Sequence, residues 1–138
     1  MNLMKKFVLV LSLCLMAAAM LPLSAQDFQS LSVDDFARYI QQERVVVVDV
    51  RTIPEFQQGA IRDAVNIVWD KDFDAHLQDA ALDTNRVLAV YCRSGRRSKM
   101  AAQVLVQKGF RVVELDKGIL GWMAAKMPVV VEKQSQRQ

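Results

Sequence analysis

Cys92 is followed at close spacing by Arg93, Ser94, Gly95, Arg96, Arg97 and Ser98. The thiolate is the nucleophilic form of cysteine, and it forms readily where positive charge and backbone N–H groups surround the sulfur. Gly95 allows a tight turn that brings amides toward that sulfur. A ring of inward N–H groups beside a helix N-terminus is an anion site. Arg93, Arg96, Arg97 and Lys99 add charge over the same stretch. The chemistry this pattern predicts is attack by Cys92 on an anionic substrate, or carriage of an anionic sulfur adduct. Against it stands a plainer reading. A cysteine at the end of a buried strand is often a small apolar core residue, and an arginine cluster is often a solvated surface. Glycine and arginines at loop spacing favour the reactive thiol, because that is the environment that activates one.

The elements that must position this loop are readable from periodicity. Val87 to Tyr91 is a β-strand running directly into Cys92. Met100, Ala101, Val104, Leu105 and Lys108 outline the helix beyond the loop, and Gly109 closes it. Val45 to Val48 is a β-branched run suited to a fully buried parallel strand. It leads into Asp49-Val50-Arg51, where Pro54 is expected to break the chain into a loop. Ala64 to Val68 and Val112 to Leu115 are two more strand candidates. Ser32 with Asp35 is a capping pair ahead of Val33, Phe36, Ala37 and Ile40 at helical spacing. Phe73, His76, Leu77 and Ala80 share one helical face, and Ile119 to Ala125 forms a short helix before Pro128. Strands alternating with helices predict an α/β domain with a mainly parallel sheet. Ligands then bind beyond the carboxyl ends of the strands, where Cys92 falls.

Length and composition bound the rest. Lys5 and Lys6, then Phe7 to Leu23, apolar apart from Ser12 and Cys14, then Ala25, have the layout of a secretory signal peptide over residues 1–25. An uncleaved anchor is the main rival to cleavage. A lipid attachment at Cys14 is disfavoured by the bulky Leu13 before it. Export would place the protein in the periplasm of a Gram-negative source. The expected domain is 26–131, followed by a polar tail over 132–138. Without Lys5 and Lys6, 16 basic residues face 15 acidic ones, a net charge of +1. That balance gives no support to nucleic-acid or membrane-surface binding. Cys92 is the sole cysteine after the leader. It has no intramolecular disulfide partner in an oxidising compartment, so its presence calls for a chemical reason.

The loop resembles the active-site motif of the rhodanese family, a cysteine followed at fixed spacing by glycine and arginine, here Cys92, Gly95 and Arg97. Asp49-Val50-Arg51 with Glu55-Phe56 is similar to that family's Asp-x-Arg and Glu-Phe/Tyr segment. Gly59-Ala60-Ile61 with Ala64, Asn66 and Ile67, and Lys117-Gly118 with Trp122 and Pro128-Val129, resemble two later segments. Ala60 stands where His is usual, Asp63 and Lys117 where Gly is usual, and Lys126 where Gly often precedes Pro-Val.

The resemblance implies a rhodanese-like fold, a central and mainly parallel five-stranded sheet flanked by helices. It implies a sulfurtransferase in which Cys92 takes a sulfane sulfur from a small anionic donor such as thiosulfate. A persulfide forms, and a thiol or cyanide acceptor removes the sulfur. This ping-pong scheme requires no metal, no cofactor and no general base once the thiolate exists. Arg93 and Arg96 would face the entrance, and Arg97 would orient the loop through its guanidinium fork. Asp49 and Arg51 would be framework beside the site.

Two other readings remain. A sulfane-sulfur carrier or thiol sensor needs the same cysteine without fast turnover. Cysteine phosphatases and arsenate reductases place an arginine six residues after the cysteine to clamp the oxyanion, a position held here by Ser98. The lone histidine, His76, is remote in sequence and better suited to a structural or exposed role.

Overall fold

The structure, a computed structural model, describes residues 27–131. The expected leader and the polar tail lie outside the described residues. The described residues form five strands, β1 (Gln29–Leu31), β2 (Val45–Asp49), β3 (Val65–Asn66), β4 (Val87–Tyr91) and β5 (Arg111–Leu115). Among the described residues, five helices alternate with them: α1 (Val33–Tyr39), α2 (Ile53–Gln57), α3 (Phe73–Ala80), α4 (Arg96–Gln107) and α5 (Gly118–Ala124). The sheet order is β1-β5-β4-β2-β3, and every neighbouring pair is parallel. The expected α/β class therefore holds, with a sheet that is wholly rather than mainly parallel. Among the described residues, antiparallel pairing is confined to a bridge between Ala60 and Val130.

Parallel strands covered on both faces read as continuous apolar runs, and β2 and β4 do so for that reason. Side chains alternate across the sheet. Leu88, Val90 and Cys92 pack on one face with Ala101, Ala102, Leu105 and Val106 of α4 and Phe73 and Leu77 of α3. Ala89 and Tyr91 pack on the other, with Phe36 of α1 and Ile119 and Trp122 of α5. Each face is a separate apolar core with β4 between them.

Two sequence expectations need correction, and one strand is new. Pro54 does not break the chain into a loop; it lies in the first turn of α2. A missing N–H costs nothing there, and the ring's fixed φ suits a helix start. Thr52 caps that helix and exchanges hydrogen bonds with Glu55 in a capping box. The expected strand Ala64–Val68 is only the two residues of β3. Strand β1 had no counterpart in the sequence reading, because three residues at a sheet edge show no periodicity.

Candidate active site

The strand that delivers Cys92 is the middle one, so the cysteine emerges at the carboxyl edge with β2 and β5 on either side. Gly95 follows with φ +97° and serves as the N-cap of α4. A side chain at Gly95 would collide with the Asp116 backbone oxygen. The turn is thus closed to other residues on two grounds, conformation and space. It aims the Gly95 N–H at Cys92 Sγ, 3.1 Å away. Among the described residues, this is the one backbone amide that reaches the sulfur, where the sequence predicted a ring of them. Behind it lies the N-terminus of a twelve-residue helix, a fixed partial positive charge.

A second helix end secures the loop from the other side. The Ile119 and Leu120 amides at the start of α5 donate to the Cys92 and Arg93 carbonyls at 2.9 and 3.1 Å. Gly118 makes that approach feasible: a Cβ on it would lie 2.7 Å from the Cys92 oxygen and closer still to the Arg93 carbonyl. The contribution of Lys117-Gly118 is therefore close backbone packing, a role the spacing alone did not reveal.

The loop side chains divide by exposure. Arg93, Ser94 and Arg96 are exposed, whereas Gly95 and Ser98 are buried. Arg97 does not bind loop carbonyls. Its guanidinium forks onto Glu55 of α2, with both nitrogen–oxygen distances 2.8 Å. The Arg97 hydrogen bond, outweighing partial burial, holds the Glu55 carboxyl down to about 2. Arg97 in turn is held above its ordinary range, chiefly by the Glu55 hydrogen bond. The arginine links α2, α4 and the loop electrostatically.

Cys92 itself is fully buried. Its Sγ lies 3.3 Å from Ser98 Oγ, whose hydroxyl sits 2.7 Å from Glu114 Oε1. Glu114 is also fully buried and accepts a second hydrogen bond, from Ser30 Oγ of β1 at 2.7 Å. Lys99 Nζ completes its surroundings at 3.3 Å and reaches Asp116 Oδ1 at 2.9 Å. Burial works against the Lys99 charge, yet hydrogen bonds and charges from Asp116 and Glu114 hold its pKa above the usual lysine value. Register explains how these groups meet. Glu114 pairs with Val90 on β4 and with Ser30 on β1, so it faces α4 on the same side as Cys92. An ionisable residue inside the otherwise apolar run Val112–Leu115 is the signal that the sequence carries for Glu114.

Asp49 and Arg51 take the opposite face. Arg51 forks onto Asp49, with Nη2 to Oδ2 at 2.7 Å, donates to the Gly59 carbonyl, and lies 5.7 Å from the Tyr91 ring centre. Burial first, and Asp49 second, push the Tyr91 hydroxyl far above its ordinary range; its oxygen accepts the Ile61 amide at 3.1 Å. Asn66 Nδ2 donates to the Asp49 and Arg51 carbonyls. These groups tie β2, β3 and β4 together, and none of their hydrogen bonds reaches the Cys92 loop. His76 pairs with Asp70 at the surface, 3.1 Å away. No three His, Cys, Asp or Glu side chains among the described residues converge in a way that could hold a metal ion.

Residues 32–125 match the rhodanese-like domain family. A sulfurtransferase of Allochromatium vinosum is 36% identical over 105 residues, which span 75% of this chain and 92% of that protein. A rhodanese-related protein from Thermoplasma volcanium has a similar structure, with TM-score 0.67 and 30% identity over 76% of this chain and all of that one. A rhodanese-like domain protein from Staphylococcus aureus gives TM-score 0.61 and 26% identity over 69% and 91% of the respective chains.

Proposed function

The chain belongs to the rhodanese-like domain family, and on that footing we propose that it is a sulfurtransferase whose sulfur-carrying atom is Cys92 Sγ. The Cys92 thiolate attacks the outer sulfur of a small anionic donor such as thiosulfate. The donor's S–S bond breaks, sulfite leaves with the bonding pair, and a persulfide remains on Cys92. A thiolate or cyanide acceptor then attacks the outer sulfur, and Cys92 departs as thiolate, ready for a second cycle. The observation that carries this reading is the Gly95 amide aimed at Sγ from the start of α4, since a fixed N–H beside a helix N-terminus stabilises anionic sulfur. Exposed Arg93 and Arg96 flank the loop and would draw an anionic donor toward it.

The phosphatase alternative needs a guanidinium fork six residues after the cysteine. Ser98 stands there with its hydroxyl turned to Glu114, so nothing at that position clamps a tetrahedral oxyanion. A slow carrier is the second reading. The complete burial of Cys92 favours it, because a donor must first open the loop. Export of the mature domain to a periplasmic space is part of the proposal and rests on residues 1–25.

The test is the intact mass of the 26–138 protein before and after thiosulfate, then after cyanide. A gain of about 32 Da, mapped to Cys92, absent in Cys92→Ser and removed by cyanide, is the result expected for persulfide transfer. No gain in the wild-type protein with thiosulfate or a persulfide donor would overturn the reading. Loading followed by discharge over hours would select the carrier instead.

A further inference from the structure

We propose that Glu114 stores the proton of Cys92, passed to it through the hydroxyl of Ser98. Ser98 Oγ has a single hydrogen, and its 2.7 Å contact with the buried Glu114 carboxylate commits that hydrogen to Oε1. The oxygen is then an acceptor toward Cys92, and the S–H points inward at it over 3.3 Å. The three groups form a continuous donor–acceptor chain on one face of the sheet. Two protons move along it in one step: the Sγ–H bond breaks as the Ser98 O–H forms, and the original Ser98 hydrogen passes to Glu114. The product is a Cys92 thiolate that accepts from both Ser98 O–H and Gly95 N–H, with a neutral Glu114 donating back to Ser98. No outside acid or base is consumed.

Charges on every side bear on this exchange. Glu114 is fully buried, so its carboxylate charge is held out of water. Lys99, on α4, opposes the transfer by stabilising the carboxylate, but Asp116 engages the same ammonium from β5's end. Ser30 on β1 donates to Oε2 whether Glu114 is charged or neutral. At the other end, Arg97 and the α4 N-terminus favour negative charge on sulfur. The exchange moves charge from a buried carboxylate to a cradle built for an anion. It also does without histidine, which the described site lacks.

The inference rests on the sulfur-transfer reading for its purpose, but its test does not involve sulfur transfer. The readout is the rate of Cys92 alkylation by a neutral iodoacetamide as a function of pH. A thiol and carboxylate sharing one proton keep a pH-independent fraction of thiolate below the thiol's own titration. The wild-type rate is therefore expected to level off into a shoulder on the acid side of the thiol's own titration. In Glu114→Gln the shoulder disappears and the rate falls about tenfold per pH unit, as for a single titrating thiol. Ser98→Ala should behave likewise, and Ser98→Thr should restore the shoulder by returning the hydroxyl. If Glu114 were only a neighbouring charge, Glu114→Gln would shift the whole profile to lower pH without changing its slope. That outcome, or a wild-type profile with no shoulder, overturns the proposal. Should Glu114→Gln fail to fold, Ser98→Ala decides alone, since it leaves Glu114 its contacts with Ser30 and Lys99.

Discussion

At the scale of single residues, Asp63 and Lys126 are the departures from the family pattern that the structure makes legible. Both stand where glycine is usual, and both adopt left-handed backbone, with φ +62° and +60°. Asp tolerates that region through local hydrogen bonding, whereas lysine has no such compensation. Left-handed strain costs a non-glycine residue about 1–2 kcal/mol. Glycine loses about 0.5–1 kcal/mol more backbone entropy on folding than alanine does. Strain outweighs entropy, so Lys126→Gly is expected to stabilise the domain by about 0.5–1 kcal/mol. Lys126 is exposed, so little packing is lost. Urea unfolding measures the difference, and an unchanged or lower midpoint would show that the lysine is not strained. The same scale shows where local pattern stops being informative. Cys92 and Gly95 were legible because thiol chemistry and tight turns each demand one residue type. Glu114 matters through strand register with Val90 and Ser30, a relation that no neighbouring residue announces.

At the scale of elements, β2, β4 and α4 were readable because burial stamps its own period on the chain. Val45–Val48 and Val87–Tyr91 are apolar throughout, since both faces are covered. Two smaller elements escaped. Gln29-Ser30-Leu31 is too short and polar to register as a strand, although Ser30 there satisfies Glu114. Helix α2 hid behind Pro54, because a proline marks a first turn as readily as a break. That overlooked helix is what Arg97 grips. With Glu55 held at about 2, against an ordinary 4.5, the folded state binds the proton less tightly than the unfolded chain. The stabilisation is complete above about pH 4.5 and is lost as pH falls toward about 2. The pair is only partly buried, so solvent limits its worth to about 1 kcal/mol. Glu55→Gln should cost about that much at pH 7 and nothing near pH 2, while its amide oxygen preserves the capping contact with Thr52. Urea titrations of both proteins at the two pH values decide it. A difference that persists at low pH would locate the stabilisation in packing, not in the ion pair.

At the scale of the whole molecule, the sheet separates two apolar cores, and Cys92 lies in one of them. Leu105 is fully buried between α4 and the sheet on the Cys92 side. Phe36 is fully buried on the other side, edge-on to Trp122 at 6.3 Å. Removing either side chain leaves a cavity that a close-packed interior cannot collapse. Leu105→Ala and Phe36→Ala should each cost about 2–5 kcal/mol, a large share of the roughly 5–15 kcal/mol expected of a domain this size. Their effects on the site should differ. Loss of Leu105 loosens α4, which carries Ser98 and Lys99 and presents the Gly95 amide to Sγ. Loss of Phe36 loosens α1, which carries none of these groups, and reaches the loop only indirectly, through Trp122 and Ile119 of α5. Well below the unfolding midpoint, the rate of sulfur loading on Cys92 should therefore fall further in Leu105→Ala than in Phe36→Ala, at matched loss of stability. Equal loss of loading in both would mean that the loop depends on the stability of the whole domain. A larger loss in Leu105→Ala would mean that the seat of α4, more than that of α5, holds the cradle in shape.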